Sequence, residues 1–131
     1  MPGANSPHQD DLTALYAGPA GTSRIFAEAL LAGDVRAATG CFSSRGVILT
    51  ADGTEVSGVA DIAEILEQIV NSQVGLRIRP GRTLRAGSVA LATQVWERDL
   101  TESTFASTAR LVLHQSAGRW SILIAAPWGA G

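Results

Sequence analysis

Apolar residues recur at two spacings along the chain, and each spacing predicts a different kind of element. Within residues 22–32 and 59–71 they repeat every three or four positions, which is typical of amphipathic helices. After residue 73 they alternate with polar residues between glycine-containing turns, which predicts strands joined as hairpins. The pattern therefore predicts that helices dominate the first half of the chain and strands the second.

Capping residues and glycines set the ends of the predicted helices. Thr22 or Ser23 begins the first helix, which runs to about residue 32 before Gly33. Asp34 caps a second, short helix through residue 42, and a glycine precedes the third. The core-facing positions predicted in the third helix are Ile62, Ile65, Leu66 and Ile69.

Turn signals divide the rest of the chain into strands. Residues 46–50 form a short β-branched strand, and an Ala-Asp-Gly turn returns the chain along residues 54–57. Because hairpin-joined strands are antiparallel, the order of elements predicts an α+β fold with one curved, mostly antiparallel sheet wrapped on the helices. The four later strands are predicted at residues 74–84, 89–99, 104–115 and 119–128. Pro80 and Gly81 predict a bulge or an edge feature in the first of these four strands.

Length and composition favour one domain. A chain of 131 residues can bury a core without metal or disulfide support. We expect a tail over residues 1–21, with one short helix around residues 10–16, and a single pocket-containing domain over residues 22–131. The chain shows no membrane-spanning run and no signal peptide. Its one cysteine, Cys41, is expected to be a packed core thiol, and together these features favour the cytoplasm.

Charge and residue types exclude several classes of function. The net charge is −2 and the ten basic residues are scattered, so no nucleic-acid or membrane partner is expected. All ten are arginine, which is typical of a GC-rich bacterial genome. Two histidines and one cysteine, widely spaced, predict no metal site, and no phosphate loop or nucleophile motif suggests a cofactor. His114, beside a turn, is expected at the surface.

Three segments together resemble a known superfamily. They are FAEALLAGDVRAATGCF at residues 26–42, GVILTADGTEVSG at residues 46–58, and RWSILIAAPWG at residues 119–129. The set resembles the nuclear transport factor 2-like superfamily, which includes ketosteroid isomerases, SnoaL-like polyketide cyclases and limonene-type epoxide hydrolases. The resemblance covers about residues 22–129. It implies a cone-shaped fold with a pocket at one end, and a homodimer.

The residues of a ketosteroid isomerase site are not carried over. The place of the isomerase tyrosine falls on Phe26, which has no hydroxyl. The place of the catalytic base falls near Thr50, with Asp52 two residues later, and the second carboxylate falls near Arg110. An enolising isomerase needs a base of tuned pKa and oxyanion donors, so we predict no steroid isomerase activity. Phe26 and Thr50 are instead expected to line the pocket.

The epoxide hydrolases of this superfamily use an aspartate–arginine–aspartate set, and this chain has Glu97, Asp99 and Arg110 on paired strands. If Asp99 lies opposite Thr104, then Thr93 lies opposite Arg110. An acid and a guanidinium on one concave wall could activate water or polarise an oxygen. The residues expected together on that wall are Thr93, Val95, Glu97, Thr108 and Arg110.

Each of the candidate residues also has a structural explanation. Arg110 is either a pocket cation that binds a carboxylate or enolate, or the partner of Glu97 or Asp99 in an ion pair at the sheet rim. Asp52 is either an acid at the pocket mouth or a turn residue. Trp128, at the end of the last strand, is either a ligand contact or a core ring.

Two hypotheses of function follow. The first is a cofactor-free enzyme of bacterial secondary metabolism that cyclises, isomerises or opens an epoxide on a hydrophobic polyketide-like or terpenoid substrate. The second is a non-catalytic small-molecule-binding or dimerisation domain. Both sheet faces are apolar and helices can cover only one, so we expect a homodimer through the other. The predicted catalytic residues are Arg110, Glu97, Asp99 and Asp52, and the predicted substrate contacts are Phe26, Thr50, Thr93, Thr108 and Trp128.

Overall fold

A computed structural model describes residues 18–72, 75–99 and 103–128, and this part of the chain forms three helices and six strands. The α+β class predicted from the sequence is confirmed. The helices are α1 (Pro19–Leu31), α2 (Val35–Gly40) and α3 (Val59–Ser72). The strands are β1 (Phe42–Leu49), β2 (Glu55–Ser57), β3 (Arg77–Ala86), β4 (Val89–Asp99), β5 (Thr104–Ser116) and β6 (Arg119–Ala126).

The strands form one sheet in the order β2-β1-β6-β5-β4-β3. All neighbouring pairs are antiparallel except β1 and β6, which run parallel. The backbone N–H of Ile122 donates to the carbonyl oxygen of Cys41 at 2.8 Å, where β6 comes beside the start of β1. The mostly antiparallel sheet predicted from the hairpin signals is therefore present, with one parallel pair inside it, between β1 and β6.

The first helix begins earlier than its predicted cap. Pro19 lies in the first turn of α1, where its missing N–H costs nothing, and Gly18 is the N-cap. The predicted cap Thr22 is fully buried, and its hydroxyl donates to the carbonyl oxygen of Trp120 at 3.0 Å. Residues 19–21 thus belong to α1 and not to the tail, while the short helix predicted around residues 10–16 lies outside the described residues.

Local signals at the other helix ends agree with the structure. The Asp34 carboxylate accepts a hydrogen bond from the N–H of Ala37 at 3.0 Å, as an N-cap does. Gly33, between the two helices, has a φ of +73°, which favours glycine. Cys41 is fully buried, as predicted.

The helices pack on one face of the sheet, which we call the inner face. On β4 and β5 this face is defined by residues that are almost completely buried. Phe26 from α1 and Leu66 from α3 are fully buried in the same core. The inner-face residues of the two strands are Ala90, Ala92, Gln94, Trp96, Ala109, Leu111 and Leu113.

A buried amide links α1 to this face. Gln94 is 1% exposed, and its Nε2 donates to the carbonyl oxygen and the hydroxyl oxygen of Ser23 at 2.9 and 2.8 Å. Its Oε1 accepts from the indole N–H of Trp96 at 2.9 Å. A buried polar group is stable only when it is hydrogen-bonded, so these bonds fix the position of α1 on the sheet.

The edge strand β3 is interrupted where the sequence predicts a bulge. Its register with β4 shifts between Pro80 and Thr83. The hydroxyl oxygen of Thr93 accepts from the N–H of Arg82 at 3.0 Å, and a Cβ on Gly81 would lie 2.8 Å from the Thr93 carbonyl oxygen. Glycine is therefore required for the close approach of the two strands.

None of the helices in the described ranges is long and apolar enough to cross a membrane.

Candidate functional site

A cavity of about 620 Å³ opens where the β1–β2 turn, α3, the end of β4 and the chain after β6 meet. Its size is that of pockets that hold small organic ligands. The lining residues are Thr50, Ala51, Asp52, Thr54, Val56, Ile65, Gln68, Ile69, Ser72, Arg98 and Trp128.

The amphipathic pattern of α3 supplies the apolar part of the cavity. Ile65 and Ile69 are four residues apart and therefore lie on one face of the helix. Val56 of β2 and the ring of Trp128 complete the apolar lining. The polar groups belong to the rim, where the β1–β2 turn and the exposed Gln68 contact solvent. Such a cavity favours a ligand with an apolar body and polar substituents.

Arg98 is the cation of this cavity. It lies two residues after Trp96, on the inner face of β4, and is half-buried. Its guanidinium carbon is 5.3 Å from the ring centroid of Phe105 and 5.5 Å from that of Trp128. The Trp128 ring in turn meets Trp96 edge-on at 5.7 Å. Cation–π contacts with two rings hold the guanidinium in a defined position against the cavity.

Asp52 is the carboxylate of the cavity. Its Oδ1 accepts from the hydroxyl of Thr50 and, at 3.1 Å, from the N–H of Thr54. These hydrogen bonds, that of the Thr50 hydroxyl first, lower the pKa of the exposed Asp52 carboxyl below its ordinary value. Asp52 is therefore ionised at neutral pH.

Three of the predicted site residues lie at this cavity, namely Thr50, Asp52 and Trp128. Asp52 belongs to the turn and to the cavity mouth at once, so its two alternative explanations both apply. Phe26 does not line the cavity. It is fully buried, and its ring meets Phe42 edge-on at 5.7 Å, so it is a core residue.

The predicted acid–guanidinium wall is on the other side of the sheet. The predicted register is confirmed, with Asp99 opposite Thr104 and Thr93 opposite Arg110. The prediction of the face was wrong, because apolar residues occupy both faces of β4 and the alternation does not tell which of them the helices cover. The residues that therefore lie on the outer face, away from the cavity, are Thr93, Glu97, Asp99, Thr108 and Arg110.

The two acids on the outer face pair with β3 and not with Arg110. Arg77 contacts Asp99 at 3.2 Å and Arg79 contacts Glu97 at 3.1 Å. The hydrogen bonds and charge of Arg77 lower the pKa of the exposed Asp99 carboxyl, and Asp99 raises the pKa of Arg77. Arg110 is exposed. These acids are components of cross-strand ion pairs, in which Asp99 is exposed and Glu97 is half-buried.

Among residues 18–72, 75–99 and 103–128, no group of three or more His, Cys, Asp and Glu side chains is placed to hold a metal ion.

Comparisons with known proteins rest on structure alone. No protein-family model and no curated protein matches the chain. A ketosteroid isomerase-like protein from Erwinia carotovora atroseptica is 13% identical with a TM-score of 0.67, covering 89% of this chain and 95% of that one. A protein with a ketosteroid isomerase-like fold from Catenulispora acidiphila, in complex with trimethylamine, is 16% identical with a TM-score of 0.64, covering 80% and 82%.

A third solved protein, Rd1NTF2_04 with long sheet, is 16% identical with a TM-score of 0.70, covering 81% of this chain and 95% of that one. At such identities the likeness establishes the fold. The chain has the nuclear transport factor 2-like fold, with helices on one face of a six-stranded sheet, as the resemblance in its sequence implies.

Proposed function

We propose that the protein binds a small hydrophobic molecule that carries a carboxylate, enolate or similar oxygen acceptor. The observation that carries this proposal is the position of Arg98, a cavity cation stacked between Phe105 and Trp128. A guanidinium offers several N–H donors in a planar fork that matches a carboxylate. The neighbouring Ile65 and Ile69 offer apolar contact to the rest of the ligand. Polyketide-like and terpenoid molecules have this combination of groups.

Binding is better supported than catalysis. A general base works best when its pKa lies near the operating pH, and burial or a like charge usually raises a carboxyl pKa to that range. Asp52, the acid of the cavity, is exposed and its pKa is lowered. Glu97 and Asp99 belong to ion pairs on the outer face. An enzyme that cyclises, isomerises or opens an epoxide would therefore rely on holding its substrate in a reactive conformation.

The fold itself is compatible with either role, because function depends on the site and not on the scaffold. The Catenulispora acidiphila neighbour is in complex with trimethylamine, a small organic molecule. That complex supports a small-molecule role for this fold, while the ligand chemistry proposed here comes from the cavity of this chain.

The proposal is tested with an anionic aromatic probe, 8-anilinonaphthalene-1-sulfonate, followed by its fluorescence. The Arg98→Gln variant should bind the probe about tenfold more weakly, because it loses about 1.4 kcal/mol of charge-assisted contact. Arg110→Gln is the matched control, since Arg110 is an exposed arginine of the neighbouring strand on the outer face. Circular dichroism verifies that both variants fold. Equal affinity of the wild type and Arg98→Gln for the probe would contradict the role of Arg98 in binding the anionic group.

We further propose that a second copy of the chain covers the outer face of the sheet. Five apolar residues, one on each of five neighbouring strands, form a row across that face. Each of them is paired with the next one by the register of its strand. Three of them are 36–52% exposed, which is unusual for a continuous aliphatic row on a monomer. The members of this outer row are Leu84, Leu91, Val112, Ile124 and Val47.

A further inference from the structure

We propose that the protein has a second ligand site, for a small hydrophobic monoanion such as an aliphatic or aryl carboxylate, between α2, the start of β1 and the start of α3. A cavity of about 690 Å³ lies there, which we call the second cavity. It shares no lining residue with the first cavity, that of Arg98 and Trp128, so the inference does not depend on the proposed function. The apolar side chains of its lining are Val35, Phe42, Val59 and Ala63, and its charged side chain is Arg36.

The apolar side chains of the second cavity remain accessible on one side. Val59 is 60% exposed, the largest value among the exposed large hydrophobic residues that the structure describes. Val35 and Phe42 pack against the core and yet are only half-buried. A ligand with an apolar body would remove these side chains from water, which is the main favourable contribution to binding of this kind.

Contacts with the rest of the fold hold the walls of the second cavity in place. At the end of α2, the guanidinium Nη2 of Arg119 donates to the carbonyl oxygen of Gly40 at 2.9 Å, which ties this helix to β6. The ring of Phe42 meets the fully buried Phe26 edge-on at 5.7 Å, which ties the lining to the core. Walls that are fixed before the ligand arrives lower the conformational cost of binding.

Arg36 is the one charged residue among the described residues that line the second cavity. It is exposed, and its side chain forms neither an ion pair nor a hydrogen bond with any other residue in the described ranges. Asp34, the acid nearest to it in the chain, is the N-cap of α2 and accepts from Ala37. The Thr39 hydroxyl, also in the lining, already donates to the carbonyl oxygen of Val35 at 2.7 Å. The guanidinium is therefore the charged donor that the second cavity offers to an acid.

The charge of the lining selects the class of ligand. Among the described residues, no Asp or Glu lines the second cavity, whereas Asp52 lines the first. A hydrophobic monoanion gains a charge-assisted hydrogen bond from Arg36 and meets no carboxylate in the lining. A neutral molecule gains only the apolar contacts, and a cation is repelled by Arg36.

Octanoate and its neutral analogue octanol are the probes for this site, and binding is followed by the backbone amide NMR signals of the full chain. Octanoate should shift the signals of α2 and the first turn of α3, and it should bind there about tenfold more tightly than octanol. Arg36→Gln should remove this advantage without changing the affinity for octanol. Val59→Ser should weaken both probes alike, because it removes apolar contact and leaves the charge.

Arg45→Gln is the matched control, since Arg45 is an exposed arginine of β1 that does not line the second cavity. This variant should bind both probes as the wild type does. Equal affinity of octanoate and octanol at α2 and α3 would refute the proposal, and so would an advantage that survives Arg36→Gln.

The positions of the shifted signals separate the two sites. Octanoate that shifts only residues 50–54 and the end of β4 refutes the second site and leaves the proposed function standing. Shifts confined to α2 and the first turn of α3 support the second site and count against the proposed function, and no shift at either place refutes both. If the α2 and α3 signals move with protein concentration alone, a second copy of the chain covers the second cavity and the proposal is wrong.

Discussion

Gln94 shows how one side chain can connect a helix to the sheet. It satisfies two acceptors of Ser23 and the indole N–H of Trp96 in a site that water does not reach. In the sequence, Gln94 lies between Thr93 and Val95 in an alternating strand, a pattern that is typical of an exposed polar position. Gln94 is buried because α1 packs over it.

Replacing this amide should be costly. Gln94→Ala leaves the Trp96 indole N–H without its acceptor, removes the donor to the Ser23 hydroxyl oxygen and opens a void, so we expect a loss of about 3 kcal/mol in the free energy of unfolding. Urea denaturation followed by circular dichroism measures it. Gln68→Ala, at an exposed position of α3, should change stability by less than about 0.5 kcal/mol. Equal losses in the two variants would show that the buried network contributes little.

The ion pair between Arg77 and Asp99 makes stability depend on pH in the acid range. The folded-state pKa of Asp99 is lowered mainly by its hydrogen bond from Arg77. Its contribution is therefore present above the ordinary aspartate pKa of about 3.9 and is lost as pH falls through the lower folded value. Because both side chains are about half exposed, the contribution is small and weakens with salt.

Asp99→Asn isolates that contribution. The variant should be less stable than the wild type at neutral pH and equally stable once the pH is below the folded pKa of Asp99. The urea midpoint of both proteins, measured from neutral to acid pH at low and high salt, tests this. A difference between them that stays constant across the whole pH range would contradict the assignment.

At the scale of elements, the contact with β4 explains the irregular register of β3. It is an edge strand of the sheet. Its pairing with β4 is interrupted by a shift of register next to a proline, and the strand carries several arginines. Bulges and charged side chains on edges discourage pairing with another sheet. The Pro-Gly pair in the sequence predicts the bulge, while the contact that requires glycine there comes from β4.

Gly81→Ala should destabilise the protein by about 2 kcal/mol, because the new methyl group meets the backbone of Thr93. Gly40→Ala in α2 is the matched control. Its Cβ would have no neighbour within 4 Å, and alanine favours helix, so stability should be equal or slightly higher. Thermal unfolding of the two variants gives the comparison, and a tolerated Gly81→Ala would mean that β3 moves freely on β4.

At the scale of the whole molecule, the two faces of the sheet have different surroundings. The inner face is covered by α1 and α3, and its end forms the cavity. The outer face carries the aliphatic row from Leu84 to Val47 among ion pairs. A sheet face of this kind can pack against the same face of a second copy, because a two-fold axis between the copies brings the two aliphatic rows together.

The proposed dimer is tested by a charge in the outer row. Ile124→Lys should convert a sedimenting dimer into a folded monomer, because two buried ammonium groups would face one another across the interface. Val59→Lys, which alters a more exposed apolar residue at the start of α3, should stay dimeric. A wild type that sediments as a monomer at about micromolar concentration would contradict the proposal, as would a dimer of Ile124→Lys.

The sequence by itself determined the class of fold and the order of the elements. Helix periodicity marked α3, and the Asp34 cap and Gly33 marked the corner before α2. The sequence offered the pairing of Asp99 with Thr104 only as a condition, and the structure shows that this register is the one present. These features are local, because each depends on residues close together in the chain. The expectation that Thr50, Asp52 and Trp128 lie at the pocket came instead from the resemblance to the superfamily, and all three line the cavity.

Only the tertiary structure decided which face of the sheet is the interior. A period of two separates two sets of residues without telling which set the helices cover, and here both sets contain aliphatic residues. Because the helices cover the other face, Arg110, Glu97 and Thr108 lie on the outer face of the sheet. It also brings Arg98, on the same face as Trp96, into the cavity as its cation. Helix packing makes the choice, since α1 and α3 cover the face that carries Trp96, Leu111 and Leu113 and bury these side chains almost completely.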